Sequence, residues 1–401
     1  MLIVVLISSS TMPLVSQKSY KQCACSSSIQ KFIDAYNENE VFKLLIDKAF
    51  ENMQQVPENY RKGGNPWIGK SFDDLIIFLT EWCEFLPEAE GSTDDGLKYI
   101  EQMDLFSYNN PFGKATFQSY PGIDLFREFA EDRGDYMDSP KSTKYIAEWL
   151  SDPRIEREDY VLPDPDAPDG GFKSYNEFFS RPLKDLEKVR PLTMPDRDYV
   201  ISAPTDALMN SMPLKIVDNK TKIRTKGSMQ LNIQQLLEGS DHWKDFVGGT
   251  ALSCVLMPNT YHRYHSPVGG QVIEAKIIKG ALLGMEDFPK FVPVTGNVGY
   301  YGTDFSYAEN YQRGYFIIDT KKYGKVAVVP IGLSTIGSVV FREEFLNTLE
   351  PVPVKRGEEL GHFLYGGSHC ILVFEPGMFK SDAIQVRLGN QIGTFDTDTN
   401  K

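Results

Sequence analysis

Between residues 151 and 172 the chain crowds Pro153, Pro163, Pro165, Pro168, Gly170 and Gly171 among several aspartates, and the hydrophobic pattern differs on its two sides. Proline removes a backbone donor and turn-forming glycines loosen φ, so this stretch reads as a linker or surface loop. Upstream, Phe32, Ile33, Tyr36, Val41, Leu44, Leu45 and Ala49 recur at helical spacings and predict one buried stripe. A second helix is predicted over Phe72 to Phe85, opened by Ser71 as N-cap and closed before Pro87. A third runs from Pro121 to Arg133 and ends at Gly134. Downstream, Tyr199–Ala203, Gly270–Ile278, Gly314–Asp319, Lys325–Ile331 and Cys370–Phe374 are short β-rich runs between turn residues. The expected fold class is α+β: a leader over 1–29, a helical accessory domain over 30–150, the linker over 151–172 and a mainly β domain over 173–401.

A chain of 401 residues has room for two or three domains of about 150 residues. Its 55 acidic against 42 basic side chains give a net charge of −13, a surface that repels phosphate backbones, so nucleic acid is excluded as a partner. Neither a GxxxxGK(S/T) loop nor a GxGxxG turn is present, which leaves no sign of nucleotide binding. Five scattered cysteines make no disulfide framework, and Cys23-Ala-Cys25 lacks the CxxC spacing, so reduced thiols without a shared role are expected. No stretch reaches the roughly 18 to 20 apolar residues of a spanning helix. Met1 to Ile7 resembles a signal peptide but lacks its basic leader, so a cytoplasmic location is favoured over secretion.

Two of only five histidines fall in Tyr261-His-Arg-Tyr-His265, after an apolar run and the turn-forming Pro258-Asn259. His262 and His265 could share a metal ion, but no third ligand lies near in sequence and no metal is assigned. A pair of hydrogen-bonded structural histidines is an equal reading. Tyr365-Gly-Gly-Ser-His-Cys370 precedes an apolar strand, and an activated Ser368 could attack a substrate or its own preceding carbonyl at Gly367. Ser202-Ala-Pro-Thr-Asp206 adds a carboxylate, and the order Asp206, His265, Ser368 is compatible with a charge-relay set. No GxSxG elbow is present, which weakens an α/β-hydrolase reading.

Taken together, these blocks resemble the phosphatidylserine decarboxylase family. Asn176-Glu-Phe-Phe-Ser-Arg-Pro-Leu183 with Val189-Arg-Pro-Leu192 resembles its FFxRxL…RP opening, and Ser202 to Asp206 its SPxDG block. Lys226 to Leu237 is similar to its KG…LL segment, and Tyr261 to Gly270 to its YHRxHxPxxG block. Arg356-Gly-Glu-Glu-Leu-Gly-His-Phe363, Gly367-Ser368 and Val373-Phe-Glu-Pro-Gly377 resemble its ending. Ala207 stands where the family usually has Gly, and His369 where it usually has Thr. The helical front is similar to that of the soluble branch of fungal tryptophan decarboxylases.

The resemblance implies that Asp206 polarises His265, that His265 takes the proton of Ser368, and that the chain cuts itself between Gly367 and Ser368. The products are a large (β) chain of residues 1–367 and a small (α) chain of residues 368–401, which stay together. The latter begins with a pyruvoyl group derived from Ser368, the only cofactor implied. His262 would reprotonate the decarboxylated substrate, and Gly332, Ser334 and Gly337 would line its pocket. The substrate implied is phosphatidylserine, reached by peripheral membrane contact, or a free amino acid such as tryptophan. An uncut Ser-His-Asp hydrolase and a non-catalytic binding protein are the readings of other classes.

Overall fold

Helices fill the first half and antiparallel strands the second, the α+β arrangement expected. The computed structural model describes residues 20–56, 64–89, 93–209, 214–216, 232–256, 259–280, 312–332, 339–346, 350–364 and 368–380. Most of the leader therefore lies outside the described residues, as do Gly367, Ser334, Gly337 and much of the Lys226–Leu237 segment.

The single stripe expected from Phe32 to Ala49 is two helices, α1 (Ser26–Glu38) and α2 (Glu40–Glu51). Asn39 is extended between them and its side chain accepts from the Phe42 N–H, so α2 starts in a new phase. Phe32, Phe42, Ile46 and Ala49 are buried, whereas Val41 and Leu44 are 68% and 57% exposed. Helix α3 (Phe72–Cys83) forms as predicted, with a Ser71–Asp74 capping box. α4 (Thr93–Tyr108) and α5 (Pro111–Gln118) follow. α6 (Gly122–Asp138) runs through Gly134, the predicted stop. A helical glycine costs about 1 kcal/mol, which the buried Leu125, Phe126, Phe129 and Met137 outweigh; the helix ends at Ser139, held extended by Pro140. α7 (Ile146–Ser151), α8 (Tyr175–Phe179), α9 (Leu186–Val189) and α10 (Ile233–Leu236) are short. Within 151–172, Ile155, Tyr160, Leu162 and Phe172 are buried in one cluster with Trp149, Phe178, Phe179 and Tyr261.

The expectation of five unpaired thiols is corrected: Cys25 and Cys83 form a disulfide. The start of α1 packs beside the end of α3, a proximity across 58 residues that cysteine spacing does not reveal.

The larger sheet contains β1 (Leu208–Met209), β2 (Leu214–Lys215), β3 (Thr250–Val255), β5 (Gly270–Ile278), β6 (Arg313–Asp319), β7 (Lys325–Ile331), β9 (Val352–Val354) and β11 (His369–Phe374). Its order is β1-β3-β11-β7-β6-β5-β9, with β2 also on β3. A smaller sheet orders β4 (Arg263–His265), β10 (Glu359–Phe363) and β8 (Val339–Phe341) as β4-β10-β8. The predicted strand at Tyr199–Ala203 is a loop, pinned by the Ser202 N–H to Pro267 O (2.9 Å) and halted by Pro204.

Period-two alternation divides the core. Ala327, Val329, Ile331, Ile371 and Val373 belong to the cluster that also holds buried apolar residues of α1 to α3 and Leu125, Phe126, Phe129 and Ala130 of α6. Val326, Val328, Cys370, Leu372 and Phe374 face the other way, in a cluster with Tyr264, Phe341, Leu360 and Phe363 of the small sheet. All six residues of β11 are buried, the strand lying between β3 and β7.

Candidate active site

The antiparallel pair β4–β10 carries the histidine block, with Glu359 opposite His265 and His362 opposite Arg263. Arg263 fixes the register by bonding Glu359 Oε1 and the Ser180 carbonyl, each at 2.7 Å.

His265 is held at both ring nitrogens. Nδ1 lies 2.8 Å from the Gly357 carbonyl, which can only accept, so Nδ1 carries the proton in the neutral ring. Nε2 then accepts from the Tyr261 hydroxyl at 2.9 Å. Gly357 presents its carbonyl from φ +83, a conformation suited to glycine. Its neighbour Arg356 anchors the turn to Thr193 O, Met194 O and Ser202 Oγ. Burial lowers the His265 pKa; the Gly357 carbonyl and the charges of Glu359 and Asp206 oppose that shift.

Asp206 and His265 line one cleft of about 400 Å³, together with Arg190, Leu192, Tyr261 and Gly357. The loop bearing Asp206 is tied to the histidine block by His265 N–H to Pro204 O (2.7 Å) and Thr205 Oγ1 to Tyr261 O (3.1 Å). Asp206 itself accepts from Arg190, Nε at 3.1 Å and Nη2 at 2.9 Å, while Arg190 Nη1 reaches Asp159 at 2.9 Å. The carboxylate thus acts on His265 through its field across the cleft and makes its hydrogen bonds to arginine.

His262 occupies a drier setting. Its Nδ1 donates to Thr260 O at 2.9 Å and its ring lies 3.8 Å from that of Phe179. Burial, reinforced by the cationic Arg181, drives its pKa down to about 3. The two imidazoles are therefore oriented by separate backbone carbonyls.

Ser368 stands at the head of β11, 3% exposed, with its carbonyl accepting from Leu256 N–H at 3.2 Å. Among the described residues its Oγ has no hydrogen-bond partner. A buried hydroxyl left unpaired costs about 1–3 kcal/mol, and such groups call for a chemical explanation. Gly332 lies one step beyond the Ile331–His369 pair, so the register carries it beside Ser368. His369 packs onto β3, its Nε2 2.6 Å from Ser253 Oγ.

Sequence reasoning overlooked the Tyr261 hydroxyl, the Gly357 carbonyl and Arg190 as parts of this site. Each lies inside a quoted motif block, so their positions were marked although their roles were not.

A model of the family described as phosphatidylserine decarboxylase matches residues 175–394, more than half of the chain. A phosphatidylserine decarboxylase proenzyme of Fusobacterium nucleatum is 31% identical over 280 residues, covering 69% of this chain and 82% of that protein. Phosphatidylserine decarboxylase proenzyme 2 of Oryza sativa subsp. japonica is 32% identical over 278 residues, covering 67% of this chain and 41% of its own length. The chain thus spans less than half of the rice relative. Decarboxylase iboD of Amanita muscaria is 28% identical over 311 residues, covering 68% of this chain and 84% of that protein.

Proposed function

The chain belongs to the phosphatidylserine decarboxylase family, and from that premise we propose that it is a self-processing, pyruvoyl-dependent carboxy-lyase acting on phosphatidylserine. The observation that carries the reading is the buried Oγ of Ser368 at the head of a central strand, which has no hydrogen-bond partner among the described residues. A hydroxyl in that condition fits a residue destined for chemistry better than one placed for packing.

In the maturation step, His265 Nε2 takes the Ser368 proton, exchanging its bond to Tyr261 for one to the serine. Oγ attacks the Gly367 carbonyl carbon, the peptide C–N bond breaks, and the Ser368 nitrogen leaves with a proton, giving an ester. Elimination then expels the Gly367 carboxylate, and water replaces the nitrogen, which departs as ammonia. Asp206 stabilises the transient imidazolium across the cleft, and the Gly357 carbonyl keeps the ring oriented.

The pyruvoyl ketone supplies an acceptor for the electrons released as the substrate's carboxylate departs as carbon dioxide. β11 and Gly332 would hold it. His262, held neutral by burial, would gain affinity for a proton when a substrate carboxylate arrives and would return that proton to carbon. Among the described residues no helix is long and apolar enough to cross a membrane.

Intact-mass analysis tests the cut, with residues 368–401 expected as a fragment whose blocked terminus reacts with a carbonyl reagent. Ser368→Ala should remain a single inactive chain. Carbon dioxide release from phosphatidylserine liposomes, against free tryptophan, tests the substrate. An uncut 45.4 kDa chain that decarboxylates either would overturn the mechanism.

A further inference from the structure

Three sulfurs converge where the helical region begins. Cys25 is the N-cap residue of α1 and Cys83 the last residue of α3, and they are bonded to each other. Cys23 Sγ lies within 4.8 Å of both. Cys25 and Cys83 are fully buried, whereas Cys23 is partly exposed and lines a cleft of about 460 Å³ with Glu84, Asp132, Asp135 and Lys141. A small thiol or disulfide arriving from solvent therefore meets Cys23 first, and the bonded pair is shielded behind it.

We infer that Cys23, Cys25 and Cys83 form a thiol–disulfide exchange site through which small thiols in the cleft reach the buried disulfide. The Cys23 thiolate attacks Cys83 Sγ; the Cys23–Cys83 bond forms, the Cys25–Cys83 bond breaks, and Cys25 leaves with the electron pair. No external oxidant is consumed, and the proton lost by Cys23 is balanced by one gained at Cys25.

Both sulfurs lie at the start of α1, where Cys83 Sγ accepts the Cys25 N–H at 2.9 Å. A thiolate released on Cys25 there, at the N-terminus of a 13-residue helix, is favoured by the dipole and free N–H groups. Attack on Cys83 also avoids the strained ring that a bond between Cys23 and Cys25, two residues apart, would close. Ser26 Oγ contacts Cys23 Sγ at 3.9 Å and its oxygen receives the Cys23 N–H at 2.9 Å, holding the attacking residue against the helix start. Burial raises the Cys23 thiol, with bonds from the Cys25 backbone and Ser26 opposing and Glu84 and Asp132 adding to the rise. Only a small thiolate fraction is then present near neutral pH, and exchange quickens as pH rises.

The test uses the full chain, equilibrated in mixed oxidised and reduced glutathione, quenched in acid, alkylated and peptide-mapped. Both Cys25–Cys83 and Cys23–Cys83 linkages are expected, and Cys25→Ser should retain a Cys23–Cys83 bond. Reduction of Cys25–Cys83 by glutathione should slow about tenfold or more in Cys23→Ser with unchanged circular dichroism. Equal reduction rates in wild type and Cys23→Ser would overturn the inference. So would oxidised wild-type protein with no Cys25–Cys83 bond, or folded Cys25→Ser with Cys23 and Cys83 both free. These readouts are independent of decarboxylation.

Discussion

The carbonyl of Gly357 holds Nδ1 of His265 at 2.8 Å, and that contact fixes which ring nitrogen is free to act as a base. Relay sets usually give this task to a carboxylate. Here a left-handed glycine performs it, and Asp206 stands back against Arg190.

Gly357→Ala should therefore damage maturation. At φ +83 an alanine is strained by about 1–2 kcal/mol. Its Cβ would also stand 3.0 Å from Leu192 Cδ2, so the turn must shift and carry the carbonyl away from the imidazole. The expected outcome is a folded protein with a lower melting temperature and a self-cleavage rate reduced about tenfold, read as precursor persisting on a denaturing gel.

His265→Ala should abolish the cut, whereas Asp206→Asn should slow it about tenfold, far less than the roughly ten-thousandfold loss where an aspartate directly sets the histidine tautomer. Pulse-chase measurement of precursor decay separates the two. Equal and complete loss in both variants would show that Asp206 contacts the imidazole during the reaction.

His262 is neutral in the folded protein down to about pH 3, and His362 to about pH 4, both through burial, while an unfolded histidine protonates near 6.5. The unfolded state thus binds more protons below pH 6.5, and folding stability falls as pH drops. Each withheld proton contributes a slope of about 1.4 kcal/mol per pH unit. In Ser368→Ala, which cannot cut itself, adding His262→Gln should flatten the pH 6 to 4.5 limb of the urea-unfolding stability curve. An unchanged slope would mean that His262 is already charged when folded.

The two chains of mature protein should co-elute under native conditions. β11 pairs along its whole length with β3 and β7, and Ile371, Leu372, Val373 and Phe374 are each at most 2% exposed. At about 1.5–3 kcal/mol per side chain, their burial contributes roughly 6–12 kcal/mol toward keeping residues 368–401 in place. Spontaneous loss of the small chain during size-exclusion chromatography would contradict this packing.

What could be read from the sequence tracks how local the cause is. Helix α3 was legible because Ser71, Asp74 and Pro87 mark its ends within a few residues of themselves. The break at Asn39 was missed because apolar spacing on either side still mimics one stripe, although the new helix turns Val41 and Leu44 outward. Gly134 misled because its cost is small beside the burial of α6. The Cys25–Cys83 bond, the Arg190–Asp206 pair and the Gly357–His265 contact join distant segments, and a single sequence carries no direct record of such meetings.

A strand that sits between two others must be threaded there while still covalently led by the preceding chain. Before the cut, that leash keeps β11 at high local concentration beside β3 and β7; afterwards the two pieces must find each other by diffusion. On the proposed mechanism, maturation would therefore be a one-way gate in assembly. The uncut Ser368→Ala chain should recover from urea, while the processed enzyme, once melted, should not.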